Sequence, residues 1–109
     1  MLEELQRGAA GMMTGFGFPE ILVAIHRHFR AGDEDAARDT FFRYLPLIRF
    51  ENQAGINLPL RKLIYQRRGA IADGRARRPH PDLDETTVRE LDAILDHLGL
   101  VTPGIVSID

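Results

Sequence analysis

A glycine-flanked apolar run near the N-terminus, Gly8-Ala9-Ala10-Gly11-Met12-Met13-Thr14, constrains this chain more than any other feature. It is small and apolar with no polar alternation, the pattern of a strand buried on both faces. One strand cannot satisfy its own backbone, and burying it unpaired costs free energy at every orphan N–H and C=O. No second run of this kind occurs in the sequence. A strand over residues 9–14 therefore has to find its neighbours outside this polypeptide, and the sequence reads as a piece of a larger β/α structure.

The rest reads as helix. Residues 2–7 look like a helix end stopped by Gly8. Gly15-Phe16-Gly17-Phe18 is a turn, and Pro19 suits a first helical position, where its missing N–H does no harm. A helix over 19–30 places Leu22, Ile25 and Phe29 on one face and ends at Gly32. Asp33 is a good N-cap for the next helix, with Glu34 and Asp35 in its first turn. That helix runs to about Glu51 with a stripe of Ala37, Phe41, Leu45 and Ile48. Pro46 inside it predicts a kink near residues 42–45. After a polar connection over 52–57, a third helix spans 58 or 59 to 68. Gly74, Pro79 and Pro81 mark residues 70–82 as loop. A final helix, N-capped by Asp84, carries Val88, Leu91, Leu95 and Leu98 and stops at Gly99. The tail, 101–109, holds Pro103 and Gly104 and reads as loose. The chain itself is thus expected to be mainly α with one short strand.

Composition closes several routes. The 109 residues amount to one domain or part of one, with 44% hydrophobic and 28% charged residues, ordinary for a globular chain. The net charge of −2 comes from mixed signs, so neither nucleic acid nor a membrane surface is an expected partner. The longest apolar stretch, Ile21 to Ile25, is too short to span a bilayer, and the charged N-terminus is no signal peptide. Cytoplasmic residence is the default. With no cysteine, thiolate chemistry and cysteine zinc sites are excluded. Arg outnumbers Lys thirteen to one, so any amine chemistry within the chain falls to Lys62.

Several motifs, in order, resemble the dihydrodipicolinate synthase and N-acetylneuraminate lyase family. Gly8-Ala9-Ala10-Gly11-Met12-Met13-Thr14 resembles the Gly-x-x-Gly-apolar-apolar-Ser/Thr of its eighth strand. Ala31-Gly32-Asp33 with Ala36-Ala37 resembles its Gly-Asp-x-x-x-Ala helix junction. Leu45-Pro46-Leu47 resembles its Leu-x-Pro-Leu, which accounts for the proline within a helix. Pro59-x-x-Lys62 resembles its Pro-x-Lys with one residue more, and Arg77-Arg78-Pro79 its Arg-x-Pro. Gly15-Phe-Gly-Phe-Pro19 and Glu51-Asn52 look more like the branch that dehydrates 2-keto-3-deoxy sugar acids.

The resemblance spans nearly all of residues 8–100. It implies an α/β fold, the last strand and helix of a (β/α)8 barrel over 1–32 and a helical subdomain over 33–100. Such barrels need about 250 residues. The imine-forming lysine, the proton-shuttling tyrosine and the carboxylate-gripping donors would lie on the other strands. This chain would then be a C-terminal fragment or truncated member of a Schiff-base lyase acting on pyruvate-derived or 2-keto-3-deoxy acids. It would hold no catalytic residue, need no cofactor or metal, be inactive alone, and meet a keto-acid substrate only with the rest of the barrel. A homo-oligomer is expected. By resemblance Met13, where the family has a β-branched residue, and Thr14 wall the substrate pocket.

Each candidate has a plainer reading beside it. Lys62 lies in a helix, not on a barrel strand, and is read as structural. Gly15, Phe16 and Gly17 could offer N–H groups to a phosphate or carboxylate, or could simply form a tight turn. This loop is the best functional candidate, since it would sit at the catalytic face of a barrel. His26 and His28 point to different sides of a helix, His80 and His97 stand apart, and none is read as a metal ligand. Arg75, Arg77 and Arg78 are read as a solvated cluster pairing with Asp73 and Asp82. Phe16, Phe18, Phe29, Phe41, Phe42 and Phe50 are core or surface for the remainder of a barrel. The alternative to the lyase reading is a non-catalytic helical oligomerisation module that hides residues 9–14 between subunits.

Overall fold

The computed structural model describes residues 1–100 and 104–109 and consists of five helices. They are α1 (Leu2–Gln6), α2 (Pro19–Arg30), α3 (Glu34–Glu51), α4 (Asn57–Arg67) and α5 (Glu85–Leu98). No helix among the described residues is long and apolar enough to cross a membrane.

Local chemistry sets the helix ends. Pro19 opens α2, and the Asp33 and Asp84 carboxylates accept from the Ala36 and Thr87 N–H groups to start α3 and α5. Gly99 closes α5 in the left-handed conformation, and the Leu100 N–H reaches back to the Leu95 carbonyl. α3 continues through Pro46.

The connection of Ala31, Gly32 and Asp33 folds α3 back along α2, and α3 also packs against α1, α4 and α5. α3 is thus the central element. Phe18, Ile21, Ile25, Leu47, Leu60, Ile64 and Leu91, drawn from the turn before α2 and from four helices, form the fully buried centre. Burial of each such side chain is worth about 1.5–3 kcal/mol.

Two helices turn differently from the expected stripes. α2 buries Ile21, Ala24 and Ile25, with Leu22 and Phe29 at the margin of the core. α3 buries Ala37, Thr40, Tyr44, Leu47 and Glu51, while Phe41 and Ile48 flank that line. The apolar count found Ile25, Ala37 and the core margin but missed part of the buried rows, because a tyrosine, a threonine and a glutamate that find hydrogen bonds or ring contacts take inward positions.

The expected strand over 9–14 is not formed. No backbone N–H from Ala10 to Phe16 donates to another described residue. The cause is the absence of a neighbour. A strand is a ladder, and no segment among the described residues lies alongside to complete one. Met13 projects wholly into solvent, while Met12 is 37% exposed. The tail, expected to be loose, starts at residues 101–103, which lie outside the described residues, but 104–109 bind back. The Val106 N–H donates to Glu20, Arg27 to the Ile108 carbonyl, and the His28 ring meets the Asp109 carbonyl at 3.0 Å.

Candidate functional site

The turn between the irregular segment and α2 is where the sequence places its candidate site, and there the structure concentrates its buried polar contacts. Gly15 and Gly17 sit against α4. A Cβ at Gly15 would run into the Arg61 guanidinium, and one at Gly17 would lie 2.6 Å from Ile64 Cγ2. Gly17 is therefore required by its close approach to the buried Ile64, whereas at Gly15 the obstacle is the end of the Arg61 side chain. Phe16 and Phe18, on alternate sides of Gly17, enter the core with their rings edge to face at 6.5 Å.

Side chains of α3 and α4 hold the backbone of this turn. The Gly17 N–H donates to Glu51 Oε2 at 2.6 Å, and the other oxygen of that carboxylate accepts from Arg61 Nε at 2.9 Å. Tyr65 donates its hydroxyl to the Phe16 carbonyl at 3.0 Å, and Arg68 Nη1 donates to the Gly17 carbonyl at 2.7 Å. Arg68 also forks onto both oxygens of Glu20, donates to the Gly104 carbonyl, and stacks over the Phe18 ring at 4.6 Å.

Glu51 is 1% exposed. Burial pushes its carboxyl above the ordinary range, while the Gly17 N–H and Arg61 pull the other way. Both of its oxygens face donors, so the carboxylate is the form this geometry serves. Glu20 resolves the same contest in the other direction. Burial raises its carboxyl, but donation from Arg68, its own N–H and the Val106 N–H hold it below the ordinary range.

The loop Gly15-Phe16-Gly17, read as a possible anion cradle, thus gives its Gly17 N–H to an internal carboxylate. Met13 and Thr14 stand just upstream, both exposed. A cavity of about 480 Å³ lies between this segment and α2–α3, with Met12, Thr14, Phe16, Leu22, Phe41 and Glu51 in its lining. Lys62 donates Nζ to the Arg75 carbonyl at 2.7 Å, tying the 70–82 loop to α4. His26 is engaged with the Ala10 carbonyl at 3.1 Å. Arg75 pairs with Asp73, holding that carboxyl down to about 2, and Arg78 lies 3.7 Å from Asp82. Among the described residues no three His, Asp or Glu side chains gather where a metal ion could be held.

Sequence reasoning found the turn but missed what grips it. Arg61, Tyr65 and Arg68 recur at intervals of three and four on one face of α4 and its cap, a spacing that could have grouped them.

No family model matches the sequence. The chain is 40% identical over 99 residues to the L-2-keto-3-deoxyarabonate dehydratase of Azospirillum brasilense, covering 90% of this chain and 31% of that protein. Its structure matches the crystal structure of dihydrodipicolinate synthase from Rhodopseudomonas palustris with a TM-score of 0.84 at 39% identity, over 87% of this chain and 32% of that one. The chain carries the C-terminal part of the dihydrodipicolinate synthase family fold. It spans about a third of the length of the relatives it matches. The likeness to an α/β barrel fold bears on a feature that the helices alone leave unaccounted for. That feature is an apolar segment, bracketed by a helix and a tightly held turn, that lies open.

Proposed function

We propose that this chain supplies the last stave, the pocket rim and the helical extension of a lyase working through a lysine–keto-acid imine. Residues 1–32 close the barrel and 33–100 form the extension. The lysine lies on a barrel strand outside these 109 residues. Its amine adds to the substrate's keto carbonyl, water leaves, and the imine nitrogen draws in the electrons of the bond that breaks. Met13 and Thr14 supply part of the pocket wall. A 2-keto-3-deoxy sugar acid is the favoured substrate class, supported by the name of the Azospirillum relative and by the Gly15-Phe-Gly-Phe-Pro19 turn. The assembled enzyme is a homo-oligomer.

The observation that carries this reading is the run of seven successive N–H groups, Ala10 to Phe16, that have no partner among the described residues although the segment is apolar in sequence. Lys62 gives it further support, because the chain's one lysine is engaged with a loop carbonyl on a helix. The test is borohydride trapping with pyruvate, followed by peptide mapping. The isolated chain is expected to give no adduct at Lys62. Coexpression with the N-terminal two-thirds of the Azospirillum dehydratase is expected to give an adduct on that partner's lysine and to restore turnover. An adduct at Lys62 of the isolated chain would overturn the proposal. A monodisperse, cooperatively melting homo-oligomer that fails to complement would instead favour a non-catalytic interaction module, a reading the exposed Met13, Val23 and Phe42 side chains also suit.

A further inference from the structure

We infer that Glu51 and Arg61 are positioning residues that fix the turn at the pocket rim, so that the helical extension sets the direction in which Met13 and Thr14 leave it. This rests on the reading that Met13 and Thr14 wall a keto-acid pocket; the clamp itself does not. Three features of the turn support it. First, the polar backbone atoms of Phe16 and Gly17 that face inward are taken by the extension: the Phe16 carbonyl by Tyr65, and the Gly17 N–H and carbonyl by Glu51 and Arg68. Secondly, a buried carboxylate is an expensive way to satisfy one glycine N–H, since burial alone opposes its charge. An apolar side chain at position 51 would fill space, but it could not orient Gly17 and Arg61 together. Thirdly, Gly15 lies directly on the Arg61 guanidinium that Glu51 holds. The carboxylate orients the arginine, and the arginine forms the surface on which the residue after Thr14 rests.

The hydrogen-bonded clamp therefore begins at the Phe16 carbonyl, with Gly15 resting on Arg61 just before it. The N–H groups from Ala10 to Phe16 have no partner among the described residues, and both polar backbone atoms of Gly17 are held. A movement of Glu51 is passed to Gly17 through its hydrogen bond, and one of Arg61 to Gly15, the residue next to Thr14, through direct contact.

Amide exchange and proton NMR on the 109-residue chain test this. In the wild type, the Gly17 N–H is expected to resonate downfield of the other glycine amides, as a short charge-assisted bond requires, and to exchange at least about tenfold more slowly than the Gly15 N–H. In Glu51→Gln, Gly17 moves upfield and its exchange accelerates about tenfold more than that of the α5 amides. Leu91→Ala, a destabilising change in the buried centre of α5, should instead accelerate the amides of the turn and of α5 together. Arg61→Lys keeps the charge, loses the Nε contact, and should fall between. Equal exchange at Gly15 and Gly17 in the wild type, or acceleration in Glu51→Gln spread evenly over the chain, would refute the clamp. Failure of the lyase reading would leave the exchange pattern unchanged, whereas failure of the clamp would leave complementation by the chain unchanged.

Discussion

The contact between Gly17 and Ile64 offers a quantitative test of how closely the rim turn is moulded onto α4. A methyl group at position 17 would stand 2.6 Å from Ile64 Cγ2 and 3.0 Å from both Cβ and Cδ1. Ile64 is fully buried in the centre of the core, so it has little room to retreat. Overpacking of this kind costs about 1–3 kcal/mol. The alanine also restricts the unfolded chain, which returns about 0.4–1 kcal/mol. Gly17→Ala should therefore destabilise by about 1–2 kcal/mol net. Ile64→Ala alone should cost about 2–5 kcal/mol through lost burial and the cavity left behind. The double variant removes the clashing Cγ2 and Cδ1 and lets the new methyl occupy part of the cavity. Its loss should fall short of the sum of the single losses by about 1 kcal/mol or more, within the range seen for touching residues. Urea unfolding followed by far-ultraviolet circular dichroism gives each value, with an unchanged slope as the check that the unfolding reaction is the same. Additivity within about 0.5 kcal/mol would show that the turn does not press on Ile64, and the argument for glycine at this position would fail.

Phe18→Ala should cost about 3–5 kcal/mol, since the ring is fully buried and carries the Arg68 guanidinium on its face; a loss under about 1 kcal/mol by the same unfolding assay would contradict its central place in the core. Asp33→Ala removes the cap on the Ala36 N–H and should lower stability by about 1 kcal/mol, while Asp33→Asn keeps an acceptor and should recover most of it. The pH dependence should have two components of opposite sign. Glu20 has its folded value held below the ordinary 4.5, so its stabilisation is present above that pH and disappears as acid protonates it. Glu51 is raised, so between 4.5 and its folded value the folded chain takes up protons preferentially and mild acid favours folding. Measured as urea midpoint against pH, Glu20→Gln should flatten the fall in stability below pH 4.5, and Glu51→Gln should abolish the gain above it. A steeper acid limb in Glu20→Gln would reverse the sign assigned to that residue.

The helices were legible because their signals are local. Pro19, Asp33, Asp84 and Gly99 act on N–H and carbonyl groups within a turn of themselves, and the observed ends fall where those residues stand. The inward faces of α2 and α3 were less legible, because burial there depends on partners distant in sequence. Tyr44 and Glu51 are polar letters in an amphipathic count, and only the fold brings Gly17 and Arg61 to the carboxylate, from 34 and 10 residues away. Periodicity assigns side chains to faces, but it cannot rank a charged residue that carries its own compensation above an apolar neighbour. The binding of 104–109 was hidden for the same reason, since its contacts with Glu20, Arg27 and His28 span about eighty residues and leave no local trace.

The segment read as a strand shows where sequence and structure carry complementary information. Its composition states that it is to be buried on both faces, and its surroundings in this chain leave Met13 bare. Neither fact alone identifies a barrel stave, because an apolar run can be core and an exposed loop can be apolar by chance. Their conflict is informative. The fold satisfies the inward backbone groups at Phe16 and Gly17, using an arginine, a tyrosine and a buried glutamate that a second arginine holds, yet leaves the N–H groups just upstream without partners among the described residues. A chain that had simply failed to organise this region would show loose contacts on both sides of Gly15. The abrupt boundary fits the proposed docking edge, in which a fixed base sets direction and an open ladder is left for neighbouring strands to fill.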